Sequence, residues 1–459
     1  MANLRIVQYE KPEALEPLEK IRSRFTRQLS EASAVATEKT IAVFGEALTP
    51  LESVRRIIEA VRERGDEALL EFAKKLDGLD LPAGDLRVPQ ADIAASVNEI
   101  DPELLATLKL AAENIRRFQE HIRIPDPPML ELGDRRLGVR YQPLDSVGLY
   151  IPGGEAAYPS TILMTAIPAQ AAGVERIAMA CLPAANGRHL SEILAAAHLA
   201  GVKEIYRVGG AHAVAAMAFG TETIPAVDKI VGPGNIFVML AKREILGVAG
   251  IDLLAGPSEV IVLADDCADP AFIAADLLAQ AEHDPMASAI LVTPSQSLAE
   301  AVARETDEQL SRLPRSEIAS AAIRDYGLAI VVADLDEGIK TVNELAPEHL
   351  EILTEDDESV SARITNAGAV FLGPHTPEPV GDYMAGPSHV LPTGGTARFF
   401  SGLSVNDFLK RSSLLHYSPE ALAAEHDHIV RFANAEGLDA HARSIEARGK
   451  KDSSAVSRK

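Results

Sequence analysis

From Leu137 onward, short runs rich in Val, Ile and Leu alternate with Ala/Leu-rich stretches of helical length, and this rhythm restricts the fold more than any other feature of the chain. Strands are expected at 147–151, 176–181, 205–208, 229–231, 260–263, 290–292, 330–332, 350–353 and 370–372. Helices are expected at 160–172, 191–200, 211–219, 235–246 and 270–283. Such a succession requires crossover connections, hence α/β architecture with mostly parallel sheets and helices on both faces. Sheets of this kind gather ligands beyond the carboxyl ends of their strands.

Upstream, residues to about 48 are mixed and charged and read as a helical arm. Thr49-Pro50-Leu51-Glu52 then carries the elements of a helix start: a capping hydroxyl, a proline suited to the first turn and a capping-box glutamate. Val54, Ile57, Ile58 and Val61 follow at helical spacing. A second helix over 66–76 should stop at Gly78. Downstream of Gly394-Gly395 the chain turns helical and charged to about Arg443, and the last dozen residues read as a disordered basic tail. A chain of 459 residues is too long for one core, so a unit of roughly 150–259 is placed between two segments of another.

Composition narrows the partners. A net charge of -23 argues against nucleic acid and anionic membranes. The most apolar stretch, 162–174, is broken by Pro168 and Gly173 and is too short to span a bilayer. No apolar signal segment follows Met1, and Cys181 and Cys267 are too few for a disulfide framework, so a cytoplasmic location is expected. Cys181 ends a buried strand and Cys267 sits among Asp265, Asp266 and Asp269, settings that disfavour a thiolate.

Four stretches could carry chemistry. Gln280 and His283 stand three apart at a helix end, where both can converge on a divalent cation such as zinc; the plainer alternative is a histidine complementing the helix dipole. Glu348 and His349 sit at a loop-to-strand junction and could transfer protons, although within a strand they would face opposite ways. Asp382 and His389 lie in what reads as an irregular Gly-containing stretch, usually a solvated loop but also a source of ligands. Glu436 and His441 come late, where a histidine is most often surface decoration. Gly209-Gly210-Ala211-His212 follows a strand and opens a helix, as a phosphate-binding turn can, but it is not GxGxxG and no Walker motif occurs.

The order of these stretches, together with Tyr150-Ile151-Pro152-Gly153-Gly154, Thr221-Glu222-Thr223-Ile224-Pro225, Val227 to Asn235, Leu254 to Glu259, Asp276 to Asp284, Pro347 to Leu350 and His389 to Thr393, resembles the histidinol dehydrogenase family from about 35 to 445. The resemblance implies two incomplete Rossmann-like parallel-sheet domains: 36–149 with 260–395, and an NAD-associated 150–259. To these it adds an N-terminal helical arm (1–35) and a small C-terminal helical domain (396–445) reaching the active site of a homodimer partner, with the tail at 446–459. It implies zinc held by Gln280, His283 and Asp382 with His441 from the partner, and proton transfer by Glu348 and His349. It further implies substrate contacts from Ser258, Gln280, His283, His349, Asp382, His389, Glu436 and His441, and NAD contacts from Tyr150, Asn235 and the position held by His212.

Two positions depart from the family pattern: His212 stands where Gln is usual, and Ser388 where Asn is usual. The implied reaction is a four-electron oxidation of L-histidinol to L-histidine by two NAD, with His349 taking the hydroxyl proton and Glu348 activating water. Rival readings are a relative acting on another small polar alcohol such as a sulfonated diol, a cysteine-dependent aldehyde dehydrogenase, a non-catalytic binding module, and a zinc hydrolase. The last lacks HExxH.

Overall fold

A computed structural model describes residues 4–9, 15–30, 34–153, 158–182 and 190–449, with the side chains of residues 15, 25–30, 34–37 and 39 left aside. It has two compact units: 1–123 with 144–408, and 124–143 with 409–459.

The larger unit holds two parallel sheets. One has five strands in the order Glu204–Tyr206, Arg176–Cys181, Ser146–Ile151, Lys229–Val231, Gly250–Ile251. The other has six: Arg5–Gln8, Gly327–Val331, Ser288–Thr293, Glu259–Ala264, His349–Leu353, Ala369–Leu372. All pairings in both are parallel, as the alternation requires. The strands Glu259–Ala264 and Ser288–Thr293 are buried along their whole length, because helices cover both faces of the sheet. Among the described residues, no helix is long and apolar enough to cross a membrane.

Local signals hold. The Thr49 hydroxyl accepts from the Glu52 N–H and the Glu52 carboxylate accepts from the Thr49 N–H, starting the helix Pro50–Arg64. The helix Asp66–Asp77 ends on Gly78 at φ 71°. Long-range assignments differ in three places. Arg5–Gln8, expected within a helical arm, adds a strand beside Gly327–Val331; four residues carry too little periodicity to show it. The stripe Val54, Ile57, Val61 and the following Leu69 and Phe72 pack with Val214 and Met217 of the helix Gly210–Phe219, so 50–77 belongs to the core of the five-stranded sheet and not with 260–395. An amphipathic stripe shows that a face is buried, not what buries it.

The smaller unit is also more than helical. Leu409–Tyr417, expected in a helical stretch, is a strand antiparallel to Arg135–Pro143, which in turn pairs with Leu130–Leu132. Its sequence alternates poorly because much of it is exposed, and its partner lies about 270 residues away in sequence, as the pairing Leu409–Pro143 shows. Two helices, Pro419–Ala435 and Asp439–Gly449, follow. The expected tail at 446 therefore begins as helix, and 450–459 lie outside the described residues.

Candidate active site

The polar cluster of the larger unit forms at the amino-terminal edge of the six-stranded sheet, not at the carboxyl edge expected for α/β proteins. Glu259 and His349 are the first residues of neighbouring strands. The chain reaches them through Ala346 in the left-handed region (φ 51°), fully buried at the end of the helix Leu335–Leu345. Such a conformation costs energy in a non-glycine residue and persists only where surrounding packing enforces it. Gly368 crosses the same turn so closely that a Cβ there would lie 2.6 Å from the Glu348 carbonyl oxygen. Glycine is the residue that permits that crossing.

The main chain of Glu259 orders both candidate proton-transfer groups. Its N–H donates to Glu348 Oε2 at 2.9 Å, and its carbonyl oxygen lies 3.1 Å from His349 Nδ1. A carbonyl can only accept, so Nδ1 carries the hydrogen and Nε2 carries the lone pair. Nε2 is buried with no hydrogen-bond partner and lies 3.9 Å from Asp382 Oδ1. Burial pushes the imidazole down to about 3, which keeps it neutral near pH 7 with the Nε2 lone pair free. Glu348 lies 3.8 Å from His349 and is driven well above the usual carboxylate range, by burial first and then by the charges of Glu259 and Asp382, against the Glu259 N–H that lowers it. The two side chains avoid the opposite-face objection because Glu348 sits in a bend before the strand begins.

Metal-type donors gather beside them. Gln280 lies in the last turn of the helix Pro270–Ala281, and His283 follows in a turn where its N–H donates to the Gln280 carbonyl at 3.2 Å, so their convergence comes from that turn and not from a continuing helix. Gln280 is fully buried while His283 reaches solvent. Asp382, expected in a loop, lies in the short helix Glu378–Tyr383, started by Pro379 in its first turn. His283, Glu378 and Asp382 each place a ligand atom within 4.8 Å of the other two. Gln280, with its amide nitrogen toward Glu378, donates to both carboxylate oxygens at 2.6 Å while its oxygen accepts from the Glu259 N–H at 3.2 Å. Burial pushes Asp382 up to about 7. One imidazole, two carboxylates and an amide, with the unpartnered His349 Nε2 aimed among them, are donors that suit a divalent cation of borderline softness.

Other expected residues take supporting places. His389 Nδ1 donates to the Asp382 carbonyl (3.2 Å) and Nε2 faces the Thr161 hydroxyl (3.0 Å), so both ring nitrogens are engaged within the chain. Ser388, where the family usually has Asn, donates to the Met164 carbonyl at 3.0 Å and accepts from the Val390 N–H. The His389–Thr161 and Ser388–Met164 contacts tie the Asp382 segment to the helix Pro159–Ala172 that follows the central strand of the five-stranded sheet. Ser258 is half-buried, and its carbonyl accepts from Ser288.

The expected cofactor residues lie at the carboxyl edge of the five-stranded sheet. The Tyr150 hydroxyl accepts from the Gly210 N–H at 3.0 Å, and burial pushes its pKa up to about 12. Gly232, at φ 117°, passes so near that a Cβ would meet the Tyr150 carbonyl oxygen at 2.2 Å. Asn235 caps the helix Ile236–Glu244 by accepting from the N–H groups of Phe237 and Val238. The amino ends of two helices, Gly210–Phe219 and Ile236–Glu244, thus flank Tyr150, an arrangement suited to an anionic dinucleotide. His212 is different. It is fully buried, with Nε2 2.9 Å from Asp77 and the ring turned into the protein. The cysteines offer no nucleophile: burial pushes Cys181 up to about 12, and a hydrogen bond to Asp265 pushes Cys267 up to about 11.

In the smaller unit, Glu436 and His441 line one groove with Ile429, Phe432 and Leu438. Phe432 is 69% exposed, a large apolar surface for a free face.

Sequence reasoning missed three residues here. Glu378 had a signal, since Glu378 and Asp382 stand four apart behind Pro377. Glu259 acts chiefly through its main chain and leaves no side-chain pattern. Arg24, 2% exposed in the helix Leu15–Ser30, pairs with Glu259 Oε1 at 2.6 Å and donates to the Pro257 carbonyl at 3.1 Å; nothing local marks it.

The histidinol dehydrogenase family model matches residues 45–449. The histidinol dehydrogenase of Halalkalibacterium halodurans is 54% identical over 396 residues, covering 86% of this chain and 93% of that protein. That of Rhodopirellula baltica is 48% identical over 436 residues, covering 95% of each. The crystal structure of histidinol dehydrogenase from Elizabethkingia anophelis superposes with a TM-score of 0.87 at 35% identity, covering 97% of this chain and 98% of that one.

Proposed function

Given that the chain belongs to the histidinol dehydrogenase family, and is thereby an NAD-dependent oxidoreductase of histidine biosynthesis, we propose that it carries L-histidinol through histidinal to L-histidine with two NAD molecules at a zinc-organised site. The observation that carries this reading is the buried, unpartnered Nε2 of His349, its tautomer fixed by Glu259, facing an acid-lined set of cation donors.

Gln280, His283 and Asp382 would hold the zinc, with His441 of the partner subunit as a further ligand. When bound, zinc would supply a Lewis-acid anchor that orients the substrate, and NAD would supply the hydride acceptor. His349 Nε2 accepts the hydroxyl proton of the alcohol, and its Nδ1–H stays on the Glu259 carbonyl, so the ring remains in place as it gains charge. Glu348, anchored by the Glu259 N–H, takes a proton from the water that attacks the aldehyde. His349, once it has released the first proton to solvent, would take the remaining hydroxyl proton of the hydrated aldehyde as its hydride passes to the second NAD. Ser258 and His389 border the substrate, His389 chiefly by holding the Asp382 segment. Tyr150 and Asn235 border NAD, and His212 shapes that region through Asp77.

The chain would work as a homodimer in which Glu436 and His441 serve the other copy. Their groove, with Phe432 and Leu438 exposed, supports a protein partner on that face.

Counting NADH per histidine formed by the zinc-loaded protein tests the whole reading. About two NADH per histidine, lost with a chelator and regained with zinc, supports it. No NADH from folded, zinc-loaded protein removes L-histidinol as the substrate.

A further inference from the structure

We propose that the buried Lys242–Asp252 ion pair holds the turn Gly232-Pro233-Gly234-Asn235 in the shape that receives the dinucleotide, which makes Lys242 and Asp252 positioning residues for NAD. The inference rests on the reading above that Tyr150 and Asn235 border NAD.

Topology sets the place. In the five-stranded sheet the chain runs from the central strand Ser146–Ile151 outward through Arg176–Cys181 to Glu204–Tyr206. It then crosses to the other side of the centre at Lys229–Val231 and ends at Gly250–Ile251. The strand order therefore reverses between Ser146–Ile151 and Lys229–Val231. Connections leaving the carboxyl ends of such neighbours diverge and open a crevice between them, where open α/β sheets take their ligands. Tyr150 stands at the end of one of these strands, and the turn beginning at Gly232 leaves the other.

Beyond the strand, Gly232 has no ladder partner, and the ion pair supplies both of its main-chain contacts. The Gly232 N–H donates to Asp252 Oδ2 at 2.7 Å, and its carbonyl accepts from Lys242 Nζ at 3.0 Å. Lys242 and Asp252 also pair directly, with their side chains only 3% and 1% exposed. Because the N–H and the carbonyl belong to consecutive peptide groups, the planes on both sides of the Gly232 Cα are fixed. The carbonyl, which would repel a phosphate, is committed to an ammonium. Lys242 stands seven residues after Asn235 along the helix that the turn introduces, so that helix carries the clamp back to its own start.

The turn packs hard against the expected cofactor residue. A Cβ at Gly234 would lie 3.2 Å from Tyr150 Cε1, and one at Gly232 would collide with the Tyr150 carbonyl. A shift of the turn is therefore felt at Tyr150. Stability alone is a poor reason for the pair, since burying two charges costs about what their attraction returns and apolar residues of similar volume commonly serve as well. An apolar pair would offer Gly232 neither the donor nor the acceptor.

The double variant Lys242→Met/Asp252→Asn removes both charges together, so neither is left buried alone, while the amide at 252 still accepts from the Gly232 N–H. NADH affinity is read from cofactor fluorescence on the full-length, zinc-loaded protein, beside KM for NAD and for L-histidinol. Amide hydrogen exchange of the segment 230–237 is followed with and without NADH. A turn that must be reordered on binding loses affinity on the order of tenfold per residue fixed. NADH affinity down by at least about tenfold, with the L-histidinol KM near that of wild type and faster exchange of the cofactor-free segment, supports the proposal. Should the double variant not fold, Lys242→Gln, a shorter side chain that keeps a donor, is read in the same way.

Wild-type NADH affinity in the folded variant overturns the proposal, and protection of the segment by NADH in wild type then leaves the cofactor reading standing. Equal losses for NADH and L-histidinol with a lower unfolding temperature overturn it too, because a pair that only supports the fold weakens both sites. No protection of the segment by NADH in wild type removes NAD from this edge, and the inference falls with that reading.

Discussion

The Nδ1 atom of His349 lies 3.1 Å from the main-chain oxygen of Glu259, and this contact decides which face of the imidazole can take a proton. Because the Glu259 N–H also holds Glu348 at 2.9 Å, one residue's backbone sets the positions of both candidate proton-transfer groups.

His349→Asn should therefore keep the hydrogen bond to Glu259 and lose the base. We expect kcat to fall by about 10²–10⁴-fold, the usual worth of a positioned general base, with stability little changed. Steady-state kinetics beside thermal unfolding checks this, and a kcat within a few-fold of wild type would remove His349 from the proton-transfer role.

Glu348→Gln keeps the size of the side chain and an oxygen acceptor for the Glu259 N–H, but cannot take a proton from water. It should slow the oxidation of histidinal more than that of histidinol. Measuring the two half-reactions separately decides the matter, because equal losses contradict the assignment.

Glu351 is buried beside Asp276, and burial followed by the Asp276 charge pushes its pKa up to about 9. A carboxyl raised above its unfolded value of about 4.3 is held protonated in the fold, so its stabilising contribution is full below that value. The contribution fades as pH rises from there through about 9. Glu351→Gln retains an oxygen for the Glu378 N–H and removes the titration. Its stability should fall less than that of wild type between pH 5 and 9 in denaturant unfolding, and parallel curves for the two proteins would refute the shift.

Arg24→Met leaves Glu259 buried without its cationic partner. Breaking a buried pair from one side costs roughly 3–5 kcal/mol, so the unfolding midpoint should drop clearly. Because Glu259 also organises Glu348 and His349, kcat should fall as well, although Arg24 touches neither. A stable variant with full activity would show that the N-terminal helix does not support the site.

Much of this architecture is written locally. The capping box at Thr49, the stop at Gly78 and the buried strands around 260 and 290 follow from hydrogen-bonding groups and side-chain periods that act within a few residues. Elements whose identity depends on a distant partner were less legible. Arg5–Gln8 is a strand because Gly327–Val331 lies beside it, and Leu409–Tyr417 because Arg135–Pro143 does. The site divides in the same way. Gln280, His283, Glu348, His349, Asp382 and His389, which the structure brings near one another, stand in motifs whose order singles them out in the sequence. Arg24 and Glu259 are not marked in this way, since one acts from 235 residues away and the other largely through its peptide group.

The sequence by itself determined an α/β chain with parallel sheets, a net charge of -23 and the family to which the chain belongs. These follow from composition, period and motif order, which need no knowledge of what packs against what. Tertiary structure alone decided that the polar cluster forms at the amino-terminal edge of the six-stranded sheet, that Glu378 brings a carboxylate within 4.8 Å of the ligand atoms of His283 and Asp382, and that His212 turns inward to Asp77. The physical reason is common to all three. Burial and hydrogen-bond geometry are properties of pairs of residues in space, and a chain read one position at a time carries them only where the partners happen to be near in sequence.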